Sequence, residues 1–407
     1  MELLNTTSPT RKEMYRAFLR RFNPAQTPDA AMSSELVEDA LSTERIRNLM
    51  AAMLLRPGSQ HLLVGGIGSG KSTELRLLTQ TILHAKVGEF PLYLDVSQHA
   101  DLNRSQPGAI LLAIGRALRL SGDVALVSSD EAQESFSKIE ALASGYWDWV
   151  PPNSYDDREP SEEEIMGFSH VHRKGLLTPP VNPILASVES ISVLLAKLIQ
   201  MLSTQGKELV VVLDGMDRLL DPLAYWDFVD QDFAALRKLK ISIVSAAPLS
   251  LLYSKGRIIL DHFDSFHHIP PIGLDKSGLE LLKRLLTKRE IGELVHPSLL
   301  DQICIGSGGV LRDLISIVQD AAQNAYIDSC DWIDQIHVER AVLQLGNAYK
   351  LGLSGQERVR LQHIHRGGAF SPASKQDLEL LLHRRLLERG ESYSIHPALL
   401  EALKVKK

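Results

Sequence analysis

One stretch constrains this chain more than any other: HLLVGGIGSGKSTEL, residues 61–75. An apolar strand runs into a glycine-rich turn, and a helix is predicted to start at about Lys71. Gly65, Gly70, Lys71 and Ser72 satisfy the spacing G-x-x-x-x-G-K-[ST], in the strand–turn–helix context the motif requires. Gly65, Gly68 and Gly70 let the backbone curl around phosphate oxygens with no Cβ in the way. The amides of the turn and of the helix N-terminus then point at an anion. The predicted cradle is Gly65, Gly66, Ile67, Gly68, Ser69, Gly70, Lys71, Ser72 and Thr73. Within it, Lys71 is expected to reach the β- and γ-phosphates of ATP, and the Ser72 hydroxyl to ligate Mg2+.

A cradle of this kind needs a second element to hold the metal. ELVVVLDGMD, residues 208–217, supplies it. The apolar run places Asp214 at the C-terminal end of a buried strand, where sites on open α/β sheets lie. Asp214 is therefore the second expected Mg2+ residue. Many ATPases carry a glutamate directly after this aspartate to orient the attacking water. Here the next residues are Gly215, Met216 and Asp217. Asp217 is the nearest remaining acid. It either orients water or caps the following helix, and a poor base implies slow hydrolysis.

The order of elements predicts an α/β fold: a parallel sheet built around the P-loop, then a helical lid, then a winged helix. Strands are expected at 61–64, 90–97, 208–214, 241–248 and 265–273, separated by helices. The domain boundaries follow as 1–44 (helical), 45–273 (α/β), 274–350 (lid) and 351–407 (winged helix). Residues 121–183 interrupt the α/β part. Between Asp130 and Glu164 there are eleven Asp/Glu against two basic residues, which predicts a solvated, partly looped insertion. It is either a partner-binding surface anchored by Tyr146, Trp147 and Trp149, or a tolerated insertion.

These residues resemble AAA+ ATPases, in the initiator-type branch with a C-terminal winged helix, overlapping the STAND-type signalling ATPases. The resemblance is carried by GGIGSGKSTEL, VVVLDGMD, the strand-end polar residue in IVSAAP, and GSGGVLRDL in the following lid, and it covers about residues 40–400. It implies that Ser245 senses the γ-phosphate from the fourth strand and that Arg312 reaches the γ-phosphate from the lid. It also implies that Arg257 serves as an arginine finger toward a neighbouring subunit. Arg45 and Arg47 fall where the family's linker passes the adenine. The implied activity is an ATPase using ATP and Mg2+, in which nucleotide binding controls assembly of a homo-oligomer and switches a protein effector partner. Anti-phage defence is one setting that such a layout suits. A DNA-binding initiator, loader or transposition regulator is the alternative, and a non-hydrolysing structural subunit a third.

Charge bears on the partner. The whole chain carries a formal net charge of -6, so bulk charge does not mark it as a nucleic-acid binder. Residues 351–407 hold ten Lys/Arg and six Asp/Glu, which makes the tail locally basic. Arg384, Arg385 and Arg389 in LHRRLLER are expected on or just after the last helix before the wing. They read either as phosphate contacts to DNA or as part of a protein-contact module. The two cysteines, Cys304 and Cys330, form no CxxC pair, so neither a thiolate zinc site nor a disulfide framework is expected. No apolar run approaches the ~18 residues of a membrane span, and a cytoplasmic location is expected. His262, His267 and His268 are expected to be structural rather than metal ligands.

Overall fold

The computed structural model describes residues 10–22, 43–85, 88–98, 107–143, 148–150, 176–178, 183–219, 222–253, 259–372, 374–389 and 392–404. Five strands form the main sheet: β1 (Gln60–Gly65), β2 (Glu89–Asp95), β5 (Glu208–Asp214), β6 (Ser242–Pro248) and β7 (Ser265–His268). Their order is β2-β5-β6-β1-β7. The pairs β2/β5, β5/β6 and β1/β7 are parallel. Strands covered on both faces need continuous apolar sequence, and Leu209–Leu213 of β5 and all of β6 are buried. The chain divides into two compact units: one holds residues 1–50, 61–81 and 246–407, the other residues 51–60 and 82–245.

In the unit of residues 51–60 and 82–245, the helix α4 (Ala109–Leu120) starts after Gly108, whose φ is +98°. Its first turn would leave backbone amides without partners. The carboxylate of Asp232, in a single π-helical turn at Val229–Phe233, accepts from the amides of Gly108 (2.8 Å), Ile110 (3.1 Å) and Leu111 (3.4 Å). The acid-rich stretch begins as packed helix rather than as loop. α5 (Val124–Val127) and α6 (Asp130–Ala143) bury Leu126, Ala132, Phe136 and Ile139. A Cβ on Gly115 would come within 2.8 Å of Ile139 Cδ1, so α4 and α6 pack closely here and a larger residue would have to shift that side chain. Arg116 and Glu140 pair across it at 2.6 Å. The acidic residues line the outer face of α6 while its apolar stripe turns inward. Beyond α6 there is a short antiparallel pair, β3 (Asp148–Val150) with β4 (Leu176–Thr178). Tyr146 and Trp147 lie outside the described residues. The helix α7 (Pro183–Ser203) leads into β5.

In the unit of residues 1–50, 61–81 and 246–407, the helix α3 (Lys71–Ala85) begins at the glycine-rich turn and continues into the other unit. A helical group follows β7: α11 (Lys276–Lys288), α12 (Leu300–Gly306), α13 (Leu311–Ile327) and α14 (Gln335–Lys350). Its core joins Leu282, Leu286, Ile303, Ile317, Val318 and Val338. The N-terminal helix α1 (Arg11–Arg21) belongs to this core through Tyr15, Phe18 and Phe22. Arg11 Nε and the Tyr15 hydroxyl both donate to the Cys330 carbonyl, at 3.1 and 2.9 Å.

The chain ends in α15 (Gly355–His365), α16 (Lys375–Leu382), an antiparallel hairpin of β8 (Leu386–Arg389) and β9 (Ser392–Ile395), and α17 (Pro397–Lys404). Of the arginines expected on or just after the last helix before the wing, Arg384 and Arg385 follow it directly and Arg389 closes the next strand. Arg384 adopts φ +57° and stops α16. Leu386 and Leu387 then turn inward as the first strand of the hairpin. Among the described residues no helix is long and apolar enough to cross a membrane.

Candidate nucleotide site

The glycine-rich turn is shaped by close approaches that its sequence explains. A Cβ on Gly65 would lie 2.6 Å from the Ile269 carbonyl oxygen. Gly68 and Gly70 have φ of +83° and +106°, the region that glycine enters without cost. The Gly70 carbonyl accepts from the Thr73 and Glu74 amides, both at 3.0 Å, which starts α3. Lys71 is 3% exposed, and its Nζ donates to the Gly65 and Gly66 carbonyls at 2.8 Å each. Its charge is thus stationed inside the loop. Ser72 and Thr73 sit half-buried in the first turn of α3. Ser69 Oγ is buried with no partner, an unused donor inside the cradle.

The lid meets this loop. The Leu311 amide donates to the Gly68 carbonyl at 3.1 Å, and a Cβ on Gly68 would lie 2.8 Å from the Cβ of Arg312. Arg312, exposed in the first turn of α13, is therefore beside the predicted cradle. Arg45, in α2 (Thr43–Leu55), pairs with the buried Glu74 at 2.6 Å. Burial pushes the Glu74 carboxyl up, and Arg45 partly opposes the shift. Arg45, Ser69 and Glu74 line a cavity of about 460 Å³ together with Ile269–Gly273 and the start of α11. That volume suits a nucleoside. His267 is half-buried; burial and the Arg45 charge lower its pKa. His268 pairs with Glu388 at 3.2 Å. No cluster of His, Cys, Asp and Glu able to hold a metal occurs among the described residues.

The other unit holds Asp214, Asp217 and Ser245. Asp214 is 3% exposed at the end of β5. Its Oδ1 accepts from the Gly215 amide at 2.8 Å, and its Oδ2 from the Tyr93 hydroxyl at 2.6 Å. Each oxygen keeps a lone pair, so the carboxylate remains fit for a hydrated Mg2+. Ser245 is fully buried in β6. The hydroxyl of Tyr225, on α8 (Pro222–Phe228), faces Ser245; burial pushes its pKa up and the charge of Asp217 adds to the shift. Asp217 is half-buried in the turn after β5. Arg257 lies outside the described residues.

Sequence reasoning passed over Tyr93, Tyr225 and Asp313. Asp313 follows Arg312 and is 2% exposed. It accepts from the Tyr349 hydroxyl at 2.5 Å and from Arg384 at 2.6 Å, and lies 3.2 Å from His396 Nε2. The tail arginines are engaged in the same way. Arg385 donates to Glu357 Oε1 and the Leu351 carbonyl, each at 2.6 Å, and Arg389 to the Ile272 and Gly308 carbonyls at 2.7 Å. The three arginines read from the sequence as either DNA-phosphate contacts or part of a protein-contact module are thus bonded within the fold.

No protein-family model matches the sequence, and no curated protein matches it. Solved structures do. The chain is similar to Cdc6p from Pyrobaculum aerophilum, at 15% identity over 95% of this chain and 97% of that one, with a TM-score of 0.43. It is similar to the Aeropyrum pernix ORC1 protein in complex with DNA, at 15% identity over 92% and 96%, with a TM-score of 0.43. It is also similar to the RuvB Holliday junction branch migration motor of Thermotoga maritima, at 13% identity over 91% and 97%, with a TM-score of 0.37.

Proposed function

We propose that this chain is a Mg-ATP-binding regulatory ATPase of the AAA+ initiator kind, in which the nucleotide state is passed to the C-terminal winged-helix segment. One observation carries the reading: neighbouring residues of α13 face the two parties. Arg312 lies against the glycine-rich turn, and Asp313 holds the C-terminal segment through Tyr349, Arg384 and His396. A movement of Arg312 toward a γ-phosphate would be transmitted through the adjoining Asp313 to that bonded cluster. Lys71 and the amides of residues 66–73 would hold the phosphates, and Ser72 and Asp214 would hold Mg2+, which neutralises charge on the β- and γ-oxygens. Arg45 and Glu74 would border the base. Ser245 and Asp217 would act on the γ-phosphate side, and Arg257 would act on a neighbouring subunit in a homo-oligomer.

A protein effector is the partner class this reading favours, because Arg384, Arg385 and Arg389 are used internally. A second reading, a DNA-binding initiator or loader, is favoured by Arg358, Arg366 and Lys375, which stay exposed on the same segment. No described residue bears on anti-phage defence. The test is a titration with a fluorescent ATP analogue, followed by mass photometry with and without ATP. Wild type is expected to bind and to change mass distribution, and Lys71→Ala to do neither. Assembly of Lys71→Ala on adding ATP would sink the switch. Salt-sensitive DNA binding lost on charge reversal of Arg358, Arg366 and Lys375 would favour the second reading.

A further inference from the structure

The position after Asp214 is already occupied by a carboxylate that the chain brings from elsewhere. β2 and β5 run parallel, with Asp95 the direct register partner of Asp214. Both strands end in aspartate, so two carboxylates stand at the C-terminal edge of adjacent strands, and such strands lie about 4.8 Å apart. Gly215 has φ +87°, and a Cβ there would come 2.5 Å from Asp95 Oδ1 and 3.2 Å from the Ser97 amide. A glutamate at 215 would therefore collide with Asp95. The glycine is the residue that admits the Asp95 carboxylate to this space.

Asp95 is also held in one orientation. Its Oδ1 accepts from the Ser97 amide at 3.1 Å and the Ser97 hydroxyl at 2.6 Å, and its Oδ2 from Gln98 Nε2 at 3.2 Å. The Arg218 guanidinium stands 3.8 Å away. An ionised carboxylate offers about four acceptor sites, so one remains for a water molecule. The side chain is only 10% exposed. Alternation along β2 places Tyr93 on the same face as Asp95, and Tyr93 already holds Asp214. One strand thus supplies both a clamp for the metal-binding carboxylate and a second carboxylate next to it.

We propose that Asp95 is the water-orienting carboxylate of ATP hydrolysis, standing on β2 in place of the acid absent after Asp214. The inference rests on the ATPase reading above. The Asp95 carboxylate accepts a hydrogen bond from the attacking water and then its proton. The water oxygen bonds to the γ-phosphorus as the bond from that phosphorus to the β,γ-bridging oxygen breaks. ATP and water become ADP and inorganic phosphate, and the proton passes to solvent. Asp217, the other acid of the turn, is close enough for its charge to shift the buried Tyr225 hydroxyl.

The test measures ATP affinity and single-turnover hydrolysis in the full chain. Asp95→Asn keeps an oxygen for Ser97 and removes the basic carboxylate. Its hydrolysis rate is expected to fall by about 100-fold or more, the usual worth of a positioned base, with ATP affinity within about threefold of wild type. Asp217→Asn is measured beside it, as the rival acid of the turn after β5. Gly215→Ala is the second probe, because its methyl group displaces Asp95 Oδ1 without deleting the carboxylate. It is expected to slow hydrolysis at least tenfold while binding ATP normally, and it decides the matter should Asp95→Asn fail to fold. Retained hydrolysis in Asp95→Asn or in Gly215→Ala overturns the proposal, as does a loss confined to Asp217→Asn. If wild type binds ATP but never releases phosphate, the role of Asp95 falls and nucleotide binding stands. If it binds no ATP, both readings fall.

Discussion

Gly68 and Arg312 are in contact range: a Cβ on the glycine would lie 2.8 Å from the Cβ of the arginine, and the Gly68 carbonyl accepts the adjoining Leu311 amide. The cradle and the first turn of α13 are therefore one packed arrangement, and under the proposed function Arg312 would read the γ-phosphate. Arg312→Ala is expected to weaken ATP binding by about 10- to 100-fold, the worth of one charge-assisted hydrogen bond, and to leave ADP binding nearly unchanged. Calorimetric titration with both nucleotides checks this. Equal losses for ATP and ADP would place the arginine elsewhere.

Arg385 and Glu357 form a pair in which each side chain is only 8% exposed. Burial raises the Glu357 carboxyl, but the Ser354 amide and hydroxyl and Arg385 outweigh it, and the net shift is downward. Removing one member strands the other charge inside the hairpin segment. Arg385→Ala is expected to cost about 3–5 kcal/mol in urea unfolding followed by Trp fluorescence. Arg358→Ala, on the exposed side of α15, is expected to cost less than about 0.5 kcal/mol. Similar small losses for both would show that the ion pair is not a structural bond.

The strand–turn–helix of residues 60–85 was legible because its information is local: apolar run, glycines, lysine, then helix-forming residues. Asp214 was legible for the same reason, as an acid closing an apolar strand. FPLYLD of β2 carried the same mark, a strand ending in acid, yet nothing in a single sequence reveals that it pairs with β5 in the register Asp95↔Asp214. That register is set by packing between segments more than a hundred residues apart. The tail shows the opposite failure. Net charge marked the tail as locally basic, but charge counts do not say where a side chain points. One residue in the left-handed region, Arg384, ended the helix and turned the next arginine inward.

Tyr93 donates to Asp214 Oδ2 at 2.6 Å. This bond orients the carboxylate, and under the proposed function the remaining lone pairs would serve the water shell of Mg2+. Tyr93→Phe removes the hydroxyl and little volume. The Mg2+ concentration needed for half-maximal ATP binding is expected to rise about tenfold or more, within the usual effect of losing a partner of a metal-binding group. Metal-free nucleotide binding is expected to stay the same. A fluorescent-nucleotide titration at several Mg2+ concentrations separates the two. An unchanged Mg2+ dependence would make the tyrosine a packing residue only.

Asp232 is fully buried, and burial pushes its carboxyl up to about 7, outweighing the three helix amides that favour the charged form. The ordinary value is about 3.9. A folded-state pKa above the unfolded one means that the folded chain holds this proton more firmly. The resulting stabilisation is complete below about pH 4 and is lost as the pH rises through about 7. Asp232→Asn keeps an acceptor for the Gly108 amide and removes the titration. Relative to this variant, wild type is expected to be most favoured near pH 4 and to lose ground steadily up to pH 8. Urea unfolding of both proteins across that range gives the difference directly, with the other titrating groups common to the two. A difference that is flat with pH, or that grows in favour of wild type above pH 7, would mean that the amides at the start of α4 hold the carboxylate charged after all.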